Sequence, residues 1–238
     1  TYFVKNLKVL RIRQFFPILD LLLSTLIQFV LIFLLLLYSN PYEDFNILSN
    51  YAVIVSKLFL RHGEVENKKD IFYGSLPGFK LSKKGEQQAL SAANYIAKNF
   101  EIKYIYSSPL LRARQTAEPL AQILGIEVTV TNDLIEWGGI ENWKGRTFNE
   151  FANDDEYRLY IEDPLNISNT EESYLEVYER VNDFCKEKDY SVFISHQDTI
   201  RSFTYYELNG KDFNSDKPEH CDIHEIINNK LIKHTHLV

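Results

Sequence analysis

Two short apolar runs in this chain each lead into a histidine, and this pairing limits the folds open to it. The run at 58–60 is followed by Arg61 and His62, and the run at 192–194 is followed, after one serine, by His196. Apolar runs of this length are typical of buried parallel strands. Because the carboxyl ends of parallel strands meet at one edge of a sheet, both histidines are expected at a common site.

Short apolar runs alternate with amphipathic stretches along the rest of the chain. The runs at 52–60, 104–106, 128–130 and 192–194 predict strands. Their alternation with helical stretches predicts an α/β fold, a three-layer α/β/α sandwich with a mainly parallel central sheet. The active site of such a fold is expected at the carboxyl ends of its strands.

Small polar residues mark where three helices are expected to begin. Ser82 is predicted to cap the first helix, and Thr170 is predicted to cap the last of them. Ser108 and Pro109 suit the N-cap and first position of the helix between. Pro119 lies inside that middle helix and is expected to kink or interrupt it.

The end of the chain predicts an antiparallel hairpin with strands at 223–227 and 231–236 and a turn at Asn228-Asn229. Histidines cluster here, and ligands two residues apart on a strand share a face, as a zinc site would require. No CxxC or HExxH spacing accompanies them, so exposed strand histidines and no metal site are expected. The histidines concerned are His220, His224, His234 and His236.

Composition narrows the function classes. The net charge is −7, and nucleic-acid-binding proteins normally present a basic face, so that class is disfavoured. An anionic substrate would have to be bound by a local cluster of arginine and histidine. Cys185 and Cys221 are expected to be buried free thiols, which favours a reducing compartment.

Residues 21–38 are uncharged, apolar and long enough to cross a bilayer. They predict one N-terminal apolar helix over about 17–38, within a segment 1–50 that precedes a catalytic domain at 51–238. No cleavage site follows, so a single-pass membrane anchor is expected, with a cytoplasmic N-terminus. Because the chain contains no methionine, the alternative is that 1–50 is not translated and that a cytoplasmic soluble enzyme starts near Val55.

Further motifs follow His62 in a characteristic order. Together with Arg61-His62-Gly63-Glu64 they resemble the histidine phosphatase superfamily, the phosphoglycerate-mutase-like proteins, over nearly all of residues 56–238. The sequence at 73–79 and the pair His196-Gln197 are similar to a phosphatase branch of that family. The other motifs are LSKKGEQQA at 81–89, SSPLLRARQTA at 107–117, LIE at 134–136 and ISH at 194–196.

The resemblance implies a metal-free and cofactor-free phosphoryl transfer. His62 is the candidate nucleophile, because a neutral imidazole can attack phosphorus and form a phosphohistidine. Arg61 and Arg112 are candidates to grip phosphate oxygens. Gly63 is expected to let the backbone approach the ligand. Asn67, one place before the position where the family often has asparagine, is a further phosphate-binding candidate, and its contact with phosphate is open.

Two acidic residues compete for the role of general acid. Glu136 is preferred, because Trp137 and Trp143 could form an apolar wall that raises its pKa. Glu141 is the alternative, since the spacing of this loop departs from the commonest family pattern. His196 is expected to donate to a phosphate oxygen and stabilise the transition state.

These candidates predict a phosphomonoesterase that acts on a small phosphorylated metabolite. A phosphoglycerate-type mutase is the first alternative. It is disfavoured because such mutases usually carry a longer insertion than the stretch between Glu136 and His196. A non-catalytic, membrane-tethered module that binds a phosphorylated ligand is the second. The sequence indicates neither the physiological substrate nor the oligomeric state.

Overall fold

A six-stranded mixed sheet organises residues 56–235, the part of the chain that the computed structural model describes. In space the strands run β3-β2-β4-β1-β5-β6. The four strands β3, β2, β4 and β1 are parallel to one another. Strand β5 is antiparallel to both of its neighbours, β1 and β6. The predicted α/β class is confirmed. The strands are β1 (Lys57–Arg61), β2 (Tyr104–Ser107), β3 (Val128–Val130), β4 (Ser191–Ser195), β5 (Ile223–Ile227) and β6 (Lys230–His234).

Helices lie on both faces of this sheet. Helices α1 and α2 pack on one face, and α5 and α6 pack on the other. The short helices α3 and α4 belong to the connection between β3 and β4. The helices are α1 (Lys83–Asn99), α2 (Leu111–Leu124), α3 (Phe148–Phe151), α4 (Asp155–Glu162), α5 (Tyr174–Cys185) and α6 (Gln197–Glu207).

The alternation of side chains along the strands explains the two cores. In β1, Leu58 and Leu60 face α1 and α2, whereas Phe59 faces α5 and α6. The Phe59 ring lies 5.1 Å from the ring of Phe193 and 4.6 Å from that of Phe203. Both faces of the sheet are therefore buried, as a three-layer arrangement requires.

The predicted N-cap residue is correct for α1 and wrong for α5. Ser82 caps α1, as predicted, and its side chain accepts a hydrogen bond from the Gly85 amide. The predicted cap at Thr170 is wrong, because Ser173 caps α5 and forms a capping box with Glu176. The reciprocal pair of hydrogen bonds in that box satisfies two amides, which favours the later start.

The start of α2 also differs from the prediction. Its N-cap is Leu110 rather than Ser108. The Ser108 hydroxyl is hydrogen bonded to His196 and also accepts a hydrogen bond from the Leu110 amide. The helix runs without a break through Pro119, so the expected interruption is wrong. Burial of Ala113, Ala117 and Leu120 against the sheet offsets the hydrogen bond that proline cannot make.

The closing hairpin forms as predicted. Asn228 and Asn229 both have positive φ angles, 50° and 55°. Asparagine tolerates this conformation, which hairpin turns of two residues require. The hairpin places β5 between β1 and β6, in the interior of the sheet.

The expectation of exposed strand histidines is wrong. His224 lies on the interior strand β5, is fully buried and is hydrogen bonded to the Thr204 hydroxyl. His234 is partly buried and is hydrogen bonded to Tyr95 and Glu225. Within residues 56–235, no three histidine, cysteine or acidic side chains are grouped as a metal ion would need.

Both cysteines are buried, and both are free thiols. Cys185 lies in the core under α5, and Cys221 lies in the core under α1. The sheet separates them, so they cannot form a disulfide with each other.

The predicted membrane localisation is corrected. Among residues 56–235, no helix has the length and apolar character needed to cross a membrane. The longest, α1, has 17 residues and carries lysine and glutamate side chains, whereas a span needs about 20 largely apolar residues. The apolar helix predicted at 17–38 lies outside the described residues.

Candidate active site

Two strand ends bring the predicted histidines together. Strands β1 and β4 are parallel neighbours, with Arg61 paired to Ser195. The residues that follow, His62 and His196, therefore lie side by side at the carboxyl edge of the sheet, with ring centroids 5.1 Å apart. The carboxyl end of β2 adds Ser108, whose hydroxyl is 2.7 Å from His196 Nε2. The predicted convergence of the two histidines is present.

His62 is held in one orientation and one tautomer. Its Nδ1 lies 2.7 Å from the carbonyl oxygen of Gly63. Because a carbonyl can only accept, Nδ1 carries the hydrogen, and Nε2 keeps its lone pair in the neutral ring. Burial, and then the charges of Arg112 and Arg61, hold the pKa of His62 well below its usual value. The neutral form, which is the nucleophilic form, therefore dominates at pH 7.

His196 is fully buried beside it. Burial is again the largest cause of its lowered pKa, followed by the charge of Arg112. Its Nε2 is engaged with Ser108, and its Nδ1 has no hydrogen-bond partner among the described residues. A buried imidazole with an unsatisfied nitrogen is available to an incoming polar ligand.

Two arginines surround the histidines without a carboxylate to neutralise them. Arg61 donates to the Pro218 carbonyl at 2.8 Å, and Arg112 donates to the Gly74 carbonyl at 2.6 Å. Within the described part of the chain, neither guanidinium forms an ion pair, and the Nε atom of each is buried without a partner. Two guanidinium groups beside two neutral imidazoles can attract an anion. We refer to Arg61, His62, Arg112 and His196 as the floor.

Gly63 is required for the close packing of two backbone segments. A Cβ atom on Gly63 would lie 2.6 Å from the Gly85 carbonyl oxygen, and one on Gly85 would lie 2.0 Å from the Glu64 carbonyl oxygen. The Gly63 amide donates to the Thr116 hydroxyl. The two glycines let the loop after β1 lie directly on the start of α1. The signal for Gly85 in the sequence is a glycine inside a helical stretch.

Asn67 is not brought to the site. Its side chain donates to the Ile71 carbonyl and accepts from the Ile71 amide, which closes its own loop. Lys68, next to it, is exposed and paired with Glu66. The predicted contact of Asn67 with phosphate therefore has no support in this arrangement.

Glu136 has the environment of a general acid. Its Oε1 accepts hydrogen bonds from the Trp137 amide at 2.9 Å and from the amide and hydroxyl of Thr199, each at 3.2 Å. Burial, and then the negative charge of Asp198, raise the pKa of Glu136 to about 7. The protonated form of this carboxyl group is therefore favoured more than it is in an exposed glutamate. Thr199, in the first turn of α6, was not identified from the sequence.

The alternative acid, Glu141, lies at the surface. Its side chain is 71% exposed and forms an ion pair with Lys144 at 2.7 Å. Hydrogen bonding to Lys144 lowers the pKa of Glu141, which is the opposite of what an acid requires. Trp137 and Trp143 are buried at the cavity beside Glu136, where the sequence placed them.

A buried ion pair lies behind Glu136 and was also not identified. Asp198 Oδ1 is 2.7 Å from Arg201 Nε, and the Tyr160 hydroxyl donates to Asp198 at 3.2 Å. Both charged side chains are buried. The spacing of aspartate and arginine three residues apart on a helix is the signal that could have found them.

A cavity of about 270 Å³ opens between His62 and Glu136. Arg61, Asp198 and Lys217 supply its other charged groups. Aromatic side chains also line the cavity, and we call six of them the aromatic wall. The wall comprises Phe72, Trp143, Phe148, Phe151, Tyr157 and Tyr160.

Comparison with known proteins gives the same picture as the geometry. The family model of the histidine phosphatase superfamily (branch 1) matches residues 58–226. A mycobacterial glucosyl-3-phosphoglycerate phosphatase superposes with a TM-score of 0.65 at 25% identity, over 75% of this chain and 97% of that one. A phosphoserine phosphatase from Entamoeba histolytica gives 0.63 at 27% identity, over 76% and 95%.

Curated relatives include a 2,3-bisphosphoglycerate-dependent phosphoglycerate mutase from Thermoplasma acidophilum. It is 32% identical over 153 residues, which are 63% of this chain and 75% of that protein. Relatives from Mycobacterium tuberculosis are matched over a smaller part. The chain spans 38% of the length of one, at 46% identity, and 34% of another, at 35% identity.

Proposed function

This chain belongs to the histidine phosphatase superfamily, and we propose that it hydrolyses a small phosphomonoester through a phosphohistidine on His62. The observation that carries the proposal is the hydrogen bond from His62 Nδ1 to the Gly63 carbonyl. It leaves Nε2 unprotonated, and it fixes the ring and thus the direction in which Nε2 points. A nucleophile must be both deprotonated and oriented, and this contact provides both conditions.

Substrate binding is assigned to the other floor residues. The guanidinium groups of Arg61 and Arg112 would contact the non-bridging phosphate oxygens through N–H groups that are not used in their bonds to Pro218 and Gly74. His196 would donate from Nδ1 to a third oxygen. These groups carry or acquire positive charge where negative charge accumulates in the transition state.

Two chemical steps follow. His62 Nε2 attacks phosphorus, the bond from phosphorus to the ester oxygen breaks, and Glu136 transfers its proton to the departing alkoxide. Glu136 then removes a proton from water, whose oxygen attacks phosphorus and breaks the bond to His62. Inorganic phosphate and the free imidazole are the products. A carboxyl group with a pKa near 7 can serve as acid in the first step and as base in the second.

Catalysis without a divalent ion is part of the proposal. Arg61 and Arg112 place two positive charges at the site, and neither is neutralised by a carboxylate of residues 56–235. A divalent ion next to both guanidinium groups would be repelled. The charge stabilisation that a metal gives elsewhere is assigned here to the arginines and to His196.

A mutase is the second candidate, because the Thermoplasma acidophilum relative is a phosphoglycerate mutase. Both activities begin with the same phosphohistidine. They differ in whether water or a second hydroxyl group accepts the phosphoryl group. The phosphatases among the similar structures support hydrolysis.

The test is release of phosphate by the purified chain from 4-nitrophenyl phosphate, and separately from 3-phosphoglycerate. Release of phosphate from the nitrophenyl ester supports the proposal. Conversion of 3-phosphoglycerate to 2-phosphoglycerate faster than any release of phosphate would favour the mutase. Binding of inorganic phosphate with no turnover of either substrate would mean a binding module, and would overturn the enzyme proposal.

A further inference from the structure

The aromatic wall is one continuous surface. The Trp143 ring centroid lies 5.6 Å from that of Phe72, 4.9 Å from that of Phe151 and 5.7 Å from that of Tyr160. Phe148 extends the wall at one end, 5.2 Å from Phe151. Such contacts hold the rings in fixed positions before any ligand arrives.

The outer edge of the wall leaves apolar surface exposed at the cavity. Phe148 in α3 is 41% exposed, and Ile161 in α4 is 47% exposed. Both line the cavity. Exposed apolar groups inside a concave site are typical of the place where a ligand covers them.

The polar groups of the cavity are largely engaged already. The Tyr160 hydroxyl donates to Asp198, Asp198 is paired with Arg201, and Glu136 accepts from Thr199. Gln197, Lys217 and the Tyr157 hydroxyl are lining groups for which the described residues show no hydrogen-bond or ion-pair partner. A sugar or polyol needs several hydrogen-bond partners along its length, and this wall presents mainly the carbon atoms of its rings.

We propose that the group esterified to the phosphate is a bulky apolar one that contains an aromatic ring, so the substrates are aryl or arylalkyl monophosphates. This inference rests on the proposed function, because it assumes that the phosphate lies on the floor. The adjacent aromatic wall then covers the remainder of the substrate. A volume of about 270 Å³ suits one small molecule.

The test uses pairs of esters whose alcohols have similar acidity and different apolar size. Phenyl phosphate is compared with 2-naphthyl phosphate, and ethyl phosphate with 3-phenylpropyl phosphate. The larger member of each pair is expected to have a kcat/KM about tenfold higher, since the additional ring removes apolar surface from water. Glucose 6-phosphate, a polar ester of similar size, is expected to be at least about tenfold poorer than 3-phenylpropyl phosphate.

Two matched variants test whether the aromatic wall causes the preference for the larger apolar ester. Phe148→Ala is expected to reduce the ratio of kcat/KM for 2-naphthyl over phenyl phosphate severalfold. Leu90→Ala removes an exposed apolar side chain, 52% exposed, from α1 in the opposite layer and is expected to keep the ratio. Thermal unfolding of both variants checks that they remain folded. An unfolded Phe148→Ala leaves the substrate series in the unmodified chain as the deciding measurement.

The outcomes separate this inference from the proposed function. Equal kcat/KM values within each pair, or a preference for glucose 6-phosphate, would overturn the apolar substrate class and leave the phosphatase intact. A ratio that Phe148→Ala does not change would overturn the role of the wall. No release of phosphate from any ester would overturn the proposed function, and this inference with it.

Discussion

The floor and the aromatic wall are built in different ways, and residues of both, among them His62 and Trp143, line one cavity. The four floor residues follow strand ends or begin a helix, and each is buried and tied to backbone or hydroxyl oxygens. The wall comes from the loop after β1, from Trp143 in the connection between β3 and α3, and from the two short helices α3 and α4. Its residues touch each other through rings, and two apolar side chains at its edge are exposed.

We therefore expect the floor to determine whether the reaction occurs and the wall to determine which substrates are preferred. Hydrogen bonds between fixed partners leave the floor one workable geometry, so a change there should affect every substrate alike. Ring contacts depend mainly on shape and apolar area, so the wall can change with a smaller effect on the reaction. Five predictions sharpen this contrast, beginning with the largest effect.

The change His62→Ala should abolish turnover of every phosphomonoester, by at least about 10⁴-fold, because no other atom can form the covalent intermediate. An acid-labile and base-stable label from a phosphorylated substrate should be trapped on the unmodified chain and be absent from the variant. His234→Gln, at a histidine of the closing hairpin, is the control and should retain both label and turnover. Normal activity of His62→Ala would disprove the phosphohistidine.

Glu136 lies where floor and wall meet, so its effect should depend on the leaving group. Glu136→Gln should slow hydrolysis of alkyl phosphates by about 10²–10⁴-fold and that of 4-nitrophenyl phosphate far less, because nitrophenolate departs without a proton. Steady-state rates on both esters measure this difference. Glu141→Gln is the matched control, because Glu141 is exposed. An equal loss on both substrates would assign Glu136 a role other than proton donation.

The pH dependence follows from the same carboxyl group. The acid form of Glu136 is required in the first step, and its pKa is raised to about 7. The kcat/KM for an alkyl phosphate should therefore fall about tenfold per pH unit above pH 7. For 4-nitrophenyl phosphate this alkaline decline should be much weaker. An identical decline for both esters would place the titrating group elsewhere.

Below pH 7, the lowered pKa of His62 predicts that kcat/KM rises or stays level as the pH falls. The nucleophile becomes protonated only well below the usual imidazole pKa of 6.5, so kcat/KM, which reports the first step, should persist as the pH falls through 6.5. A loss of activity centred at pH 6.5 in the profile of the enzyme without substrate would contradict the buried, neutral imidazole.

Removal of metal ions should have the smallest effect. Extended treatment with EDTA is expected to leave kcat/KM unchanged, because Arg61 and Arg112 already supply the positive charge of the floor. Activity that disappears with chelator and returns with zinc would show that the floor is incomplete as described.

Strands and hairpin were predictable because their signals are local. The runs that became β2, β3 and β4 are apolar and bounded by polar residues, and Asn228-Asn229 suits a tight turn. Helix starts were less predictable. Ser108 has the right residue type for a cap, yet its hydroxyl bonds to His196, 88 residues away along the chain.

The candidate site also has a part that local patterns predict and a part that they do not. Arg61, His62, Arg112 and His196 come together where the sequence placed them, because parallel strands bring their carboxyl ends to one edge. Asn67 does not join them, since the nearby Ile71 backbone satisfies its side chain. Gly63 is needed for the close contact with Gly85. Neither outcome follows from residue type or from spacing.

Short motifs at strand ends were sufficient to predict the fold class and the family, and they singled out the four floor residues. The raised pKa of Glu136 and the aromatic wall beside the floor depend on the tertiary structure. Glu136 owes its raised pKa to burial and to Asp198, and the wall requires Phe72 to meet Trp143. These contacts join segments that are distant along the chain, and their strength depends on burial, which a local pattern does not contain.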